Sequence, residues 1–239
     1  MFLTPYITLQ GEEFCFSREQ ASHFAKKVAC DFNPLHDEDA KRFCVPGDLM
    51  FAWFASQFGI SEQLNCTFSG MVASDSWLHF RQQGEDVHVC DRQEKVYLSL
   101  RQQGAVIRDQ ALIESIVTDY VRFSGQNFPH ILQPLMQQHD AMIHTQRPMV
   151  IYESMALHFN TLPEQLPELA LTQSSMEVTG RRGNVALDFS FRGQGMVMGH
   201  GRKQMILSNL SAYDPEAMQA MVDEYDRRKA AFFSNQATI

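Results

Sequence analysis

The sequence predicts an α+β protein in which antiparallel strands curve around apolar helices, and three observations predict it. The segment Leu49 to Phe58 is apolar nearly all the way round, and outside a membrane a helix of that kind has to be enclosed by other structure. From residue 77 onward the apolar period drops to two, as in Val87/Val89 and Val96/Leu98/Leu100, which is the alternation of half-buried strands. The order of apolar helix and then strands recurs in the second half of the chain. A composition of 44% hydrophobic and 20% charged residues suits a packed core and argues against disorder.

The elements follow in order. Phe2 to Phe16, rich in aromatic and β-branched residues, reads as extended. Ser17 reads as a helix N-cap with Gln20 at the capping-box position, followed by Phe24, Ala25 and Val28 at helical spacing. That helix should stop near Cys30, because Pro34 disfavours helical backbone at Asn33 and both Asp31 and Asn33 favour turns. His36 to Phe43 reads as a short second helix with Asp37, Glu38 and Asp39 at its positive end. Gly47-Asp48 opens the apolar helix over 48–58. Leu112 to Val121 reads as a further strand, with Gln102-Gln103-Gly104 as a hairpin turn before it.

In the second half, Ile131 to Ile143 reads as helical. Pro148 sits where a first-turn proline belongs, and predicts a second apolar helix over 149–159. Leu169 to Val178, Val185 to Phe191 in strict alternation, and a glycine-punctuated segment from Gly193 to Gly201 read as strands. Asp214-Pro215 opens a terminal helix with Met218, Met221, Val222 and Tyr225 on one face. A boundary near 124–130 divides the chain into halves of similar size, 1–125 and 126–239.

Charge and cysteine usage exclude several classes. Twenty Lys+Arg against twenty-eight Asp+Glu give a net charge of −8, so no field attracts a phosphate backbone and no nucleic-acid partner is expected. The longest apolar run, Leu49 to Ala55, is far short of the about 20 residues that span a bilayer, so no membrane partner is expected. Met1 to Pro5 lacks a basic region, so no signal peptide is expected. Cys15, Cys30, Cys44, Cys66 and Cys90 are odd in number and contain no C-x-x-C pair. Neither a disulfide framework nor a thiolate metal site follows, and the reading is a soluble protein of a reducing cytoplasm without metal or cofactor.

One dense polar cluster stands out: Asp31-Phe32-Asn33-Pro34-Leu35-His36. Asn33 and Pro34 make a bend that Asp31 and His36 flank, so a carboxylate and an imidazole can converge on one water as a general acid/base pair. Gly47, at the start of the enclosed helix, offers unpaired amides and a helix dipole to a developing negative oxygen. Asn33 and Pro34 serve turn geometry whatever else they do, and Asp48 reads as a capping carboxylate. Glu153 is placed inside the second apolar helix, where a carboxylate facing a core needs a partner or a raised pKa.

D-x-N-P-L-H after a helix, followed by an apolar helix opening with glycine, resembles the MaoC-like hot-dog family, which includes (R)-specific enoyl-CoA hydratases. The resemblance extends through Trp77-Leu78-His79-Phe80-Arg81, Gly84-Glu85-Asp86-Val87 and Val96 to Val121, covering residues 15–123, and more weakly through the second half. It implies a double hot-dog fold, a pseudo-dimer within one chain with a homodimer left open. It also implies an acyl-CoA or acyl-carrier thioester as partner and substrate, with no separate cofactor. The implied activity is hydratase/dehydratase chemistry on a 2-enoyl thioester. Asp31 and His36 would activate water, Asn33 would help hold it, and the Gly47 amide would polarise the thioester carbonyl. The sequence departs from the family in having Ala29-Cys30 before Asp31, Pro46-Gly47 at the helix start, and a shorter segment from His36 to Gly47, which implies a changed or restricted acyl pocket. Two alternatives stand beside this reading: a hot-dog thioesterase using Glu153, and a non-catalytic acyl-CoA-binding protein.

Overall fold

The structure, a computed structural model, describes residues 2–193 and 195–236, with side chains as far as residue 234. Met1, at the head of the segment read as lacking a leader, lies outside them. In chain order the elements are β1 (Thr8–Gln10), β2 (Glu13–Cys15), α1 (Arg18–His23), α2 (Gly47–Phe58), β3 (Ile60–Phe68), β4 (Leu78–Gln83), β5 (Asp86–Asp91), β6 (Val96–Ile107), α3 (Gln110–Gly125), α4 (Asn127–His130), α5 (Leu132–Gln138), β7 (Ala141–Met142), β8 (Met149–Phe159), β9 (Glu168–Thr179), β10 (Arg182–Gly193), β11 (Met196–Ser208), β12 (Ser211–Ala212) and α6 (Pro215–Gln236).

The sheet explains the recurrence. Ten strands form one sheet in the order β1-β2-β4-β5-β6-β3-β8-β11-β10-β9. Reading outward from the central β3–β8 pair, the first half runs β3-β6-β5-β4 and the second runs β8-β11-β10-β9, the same order repeated. The halves join through antiparallel pairing of Gln63 with His158 through Thr67 with Ser154. Helix α2 lies between β2 and β3 in sequence and is enclosed as expected, with every residue from Asp48 to Ser56 buried. Trp53 and Phe54 meet Phe14 and Phe80 of the sheet. Phe51 meets Tyr120 of α3 on the other side.

The second half departs from the sequence reading. Residues 149–159 are strand β8, not a helix, so this half is not wrapped around a helix of its own there. β8 sits between β3 and β11 at the middle of the sheet, and its buried residues Met155, Leu157 and Phe159 alternate as in a strand with one covered face. Leu112 to Val121 is helix α3, not a strand. Asp109 caps it by accepting the Leu112 amide at 2.9 Å, and Ile113, Ile116, Val117, Tyr120 and Val121 are buried along one face. Gln102-Gln103-Gly104 makes no hairpin turn; it lies inside β6, where a shift of register opposite Glu62 gives Gly104 a φ of 84°. A side chain at Gly104 would run into Glu62. His36 to Phe43 forms no helix beyond the 3-10 turn Pro34–His36. The segment 131–143 is helical only over α5 and ends in β7.

The termini of other elements match their signals. Ser17 and Gln20 form the reciprocal capping box. Asp214 accepts the amides of Glu216 and Ala217 at the head of α6. No helix among the described residues is long and apolar enough to cross a membrane.

Candidate active site

The D-x-N-P-L-H segment is a self-supporting bend. Cys30 adopts left-handed backbone (φ 52°), a conformation that glycine takes freely and other residues take at some cost. The Asp31 amide donates to the Ala25 carbonyl at 2.8 Å. Asp31 Oδ1 accepts the Asn33 amide at 2.8 Å, and Asn33 Oδ1 accepts the Leu35 amide at 3.1 Å. The Asn33 carbonyl oxygen is therefore committed to the turn.

These bonds leave Asp31 Oδ2 facing His36 Nε2 at 3.6 Å, with side chains only 19% and 12% exposed. His36 Nδ1 lies 2.7 Å from the Cys44 carbonyl, and a carbonyl only accepts. Nδ1 therefore carries hydrogen, and Nε2 is the nitrogen left to exchange a proton. The pair is bounded outside by Asp37, which takes Lys26 Nζ at 2.9 Å and also pairs with Arg228 of α6. The Tyr225 hydroxyl donates to the Cys30 carbonyl at 3.3 Å. The α6 face thus clamps the bend through Tyr225 and Arg228.

Gly125 anchors the bend from the other side. A Cβ there would stand 2.2 Å from the Ala29 carbonyl oxygen and 2.9 Å from Asp31 Cβ. The end of α3 can approach the Asp31 backbone only because residue 125 has no side chain.

Asp31, Asn33, His36 and Gly47 all line one cavity of about 650 Å³, walled by residues of both halves including Met50, Phe68, Leu132, Ile143, Ile151 and Met205. That size suits a small organic ligand or an acyl chain. Gly47 begins α2, and among the described residues neither its amide nor that of Asp48 has a hydrogen-bond partner. Its Cα packs beneath Phe68 and Tyr152, where a Cβ would approach to 2.9 and 3.2 Å.

Three polar residues in the cavity wall form a buried group that the sequence did not single out: Asp48, read as a capping carboxylate, and Ser124 and Lys203. Asp48 does not cap α2. Its Oδ2 accepts the Ser124 hydroxyl at 2.5 Å, Lys203 donates to that same hydroxyl, and all three side chains are buried. Lys203 Nζ also sits 4.2 Å from the centre of the Tyr152 ring. Burial raises the Asp48 pKa, while Lys203 and the Ser124 bond pull it back. Burial lowers that of Lys203, and Asp48 opposes it. A signal for Lys203 existed: it is in phase with Met205 and Leu207 along β11, the buried face of an alternating strand.

Glu153 is not a core carboxylate. It lies on β8, is 42% exposed, stands 3.7 Å from Arg182, and does not line the cavity. Among the described residues no cluster of three potential metal ligands occurs.

The model of a family described as "Protein of unknown function (DUF3581)" matches residues 1–216. The chain belongs to that family. No curated protein matches the sequence. Among solved structures, the chain is similar to the tesB protein MAP1729c of Mycobacterium avium subs paratuberculosis, at 10% identity over 86% of this chain and 97% of that one, with a TM-score of 0.47. It is also similar to an acyl-CoA thioesterase II, TesB2, from Mycobacterium marinum, at 10% identity over 90% and 100% of the two chains, TM-score 0.42. A MaoC-like dehydratase aligns at 9% identity over 85% and 98%, TM-score 0.43.

Proposed function

We propose that this protein is an acyl-thioester enzyme of double hot-dog architecture that adds water to, or removes it from, a 2-enoyl thioester. The observation that carries the reading is the facing of Asp31 Oδ2 and His36 Nε2 at 3.6 Å on the wall of the cavity. That separation is longer than a hydrogen bond between the two atoms, and a water beside them can contact both. The carboxylate and imidazole would take one proton from that water as its oxygen bonds to C3 of the enoyl chain, and would return a proton to C2, so that H and OH are added across the double bond. Negative charge developing on the thioester oxygen would fall on the bare amides at the tip of α2. Apolar residues of both halves would enclose the chain.

Hydrolysis through Glu153 draws no support from the geometry, because that carboxylate faces outward beside Arg182. A purely binding protein would not require the acid/base atoms to meet. The test is loss of enoyl absorbance from a panel of trans-2-enoyl-CoAs, with free thiol followed in parallel. Hydration without thiol release is expected. Thiol release without hydration, or binding with neither, would contradict the proposal.

A further inference from the structure

Asp31 and His36 are each flanked by a residue fastened to α6. Beside Asp31, the Cys30 carbonyl accepts the Tyr225 hydroxyl at 3.3 Å, and on its other side stands Phe32. Beside His36, Asp37 pairs with Arg228. Phe32 is 1% exposed, yet among the described residues it belongs to neither hydrophobic core. Its ring is met instead by three rings of α6 in T-shaped contact: Tyr225 at 5.9 Å, Phe232 at 5.7 Å and Phe233 at 6.0 Å between centroids. Rings crossed at this spacing attract one another beyond the area they bury. Phe232 and Phe233 also meet each other at 5.5 Å. Tyr225 lines the cavity, whereas Phe232 and Phe233 do not.

We propose that Phe232 and Phe233, with Tyr225, are positioning residues of the acid/base pair: they form an aromatic socket on α6 that seats Phe32 and so fixes the direction of Asp31. This rests on the reading of Asp31 and His36 as the reacting pair. The bend's own side-chain hydrogen bonds, from Asp31 to Asn33 and from Asn33 to Leu35, reach only two residues along the chain. They fix its local shape and leave its placement against the cavity to contacts from elsewhere in the fold. Gly125 supports it from the α3 side, and the ring of Phe32 holds it from the α6 side. With the socket open, Phe32 loses the surface that buries it, and the backbone between Asp31 and Phe32 can swing Oδ2 away from His36 Nε2. Those atoms stand 3.6 Å apart, and a misplacement of about 1 Å in a reacting group costs about a hundredfold in rate. Phe232 and Phe233 touch neither the cavity nor the reacting atoms, so their effect falls on turnover and not on binding.

The experiment compares the full chain with Phe232→Ala/Phe233→Ala, in steady-state hydration of a trans-2-enoyl-CoA and in amide hydrogen exchange. The double variant should lose about tenfold or more in kcat while KM stays within about twofold. The Asn33 and Leu35 amides, which the bend holds, should exchange about tenfold faster or more, while those of the enclosed helix α2 keep their rates. Phe232→Tyr/Phe233→Tyr, which keeps both rings, should recover most of kcat. Unchanged exchange at the bend overturns the proposal. So does faster exchange with unchanged kcat, a loss confined to KM, or an equal speeding of exchange in α2, which marks general loss of stability. If the double variant does not fold, Phe233→Ala decides, because that ring is 43% exposed and outside both cores; the same readouts apply, with changes of about threefold. An unmodified protein that hydrates no enoyl-CoA overturns the hydration reading alone, and exchange at the bend then decides whether the socket holds Asp31.

Discussion

Replacing Lys203 with Met tests the buried polar chain most severely. The two ends of the chain, Lys203 and Asp48, are 4% and 7% exposed, so removing the cation leaves a carboxylate with little water to compensate it. Removing one partner of a directly paired buried ion pair costs about 3–5 kcal/mol, and here the two charges meet through the Ser124 hydroxyl. Methionine refills most of the lysine stem and Ser124 still donates to Asp48, so the lower end, about 3 kcal/mol, is expected near pH 8. For a chain of this size that lowers Tm by about 6–12 °C. The pH dependence is the sharper signature. The Asp48 pKa is already raised in the folded state, and loss of the cation raises it further. The folded variant then holds a proton that the unfolded chain releases above about pH 4. Its stability therefore falls as pH rises from there through the raised folded value, and levels off beyond it. Thermal unfolding of both proteins at pH 5 and pH 8 should show a small deficit at the lower pH and the full deficit at the higher. An equal deficit at both, or a gain at pH 8, would refute the idea that Lys203 supports a buried charge.

Two further outcomes follow from local geometry. Gly125→Ala should reduce turnover on enoyl-CoA as well as stability, because a methyl 2.2 Å from the Ala29 carbonyl has to push back the backbone that carries Asp31. Loss of stability without loss of turnover in steady-state kinetics would deny Gly125 its anchoring role. Burial pushes the Cys44 thiol up to about 11, so at pH 8 it should react with a disulfide reagent at least about a hundredfold more slowly than a free cysteine, whose pKa is near 8.5. Mass spectrometry of timed digests would detect this, and rapid labelling of Cys44 would contradict it.

The features legible in the sequence were those whose physics is local. The Ser17–Gln20 box, the Asp31–His36 bend, the all-round apolar helix α2 and the Asp214-Pro215 helix start each rest on neighbouring residues, and each forms as read. The errors arose where position in the sheet overrides local pattern. Pro148 and the apolar run behind it look like a helix start, yet the segment pairs on both edges, with β3 and β11, as strand β8. The β-branched residues of 112–121 look like a strand. Their spacing at 113, 116, 117, 120 and 121 is helical, and it is that spacing that packs against α2. The convergence of Asp31 with His36 could be anticipated from the bend. The links from Asp48 to Ser124 and from Ser124 to Lys203 span 76 and 79 residues, and nothing short of the tertiary fold brings those positions together.

Turnover of a trans-2-enoyl-CoA by Asp31→Ala, His36→Ala and the double variant tests the central account most directly. Groups that act on one water fail together. Each single variant should lower kcat by about a hundredfold or more, and the double should fall little below the worse single. Losses under about threefold in folded single variants, or a double whose loss is the full product of the two, would show that this carboxylate and imidazole do not work as a pair.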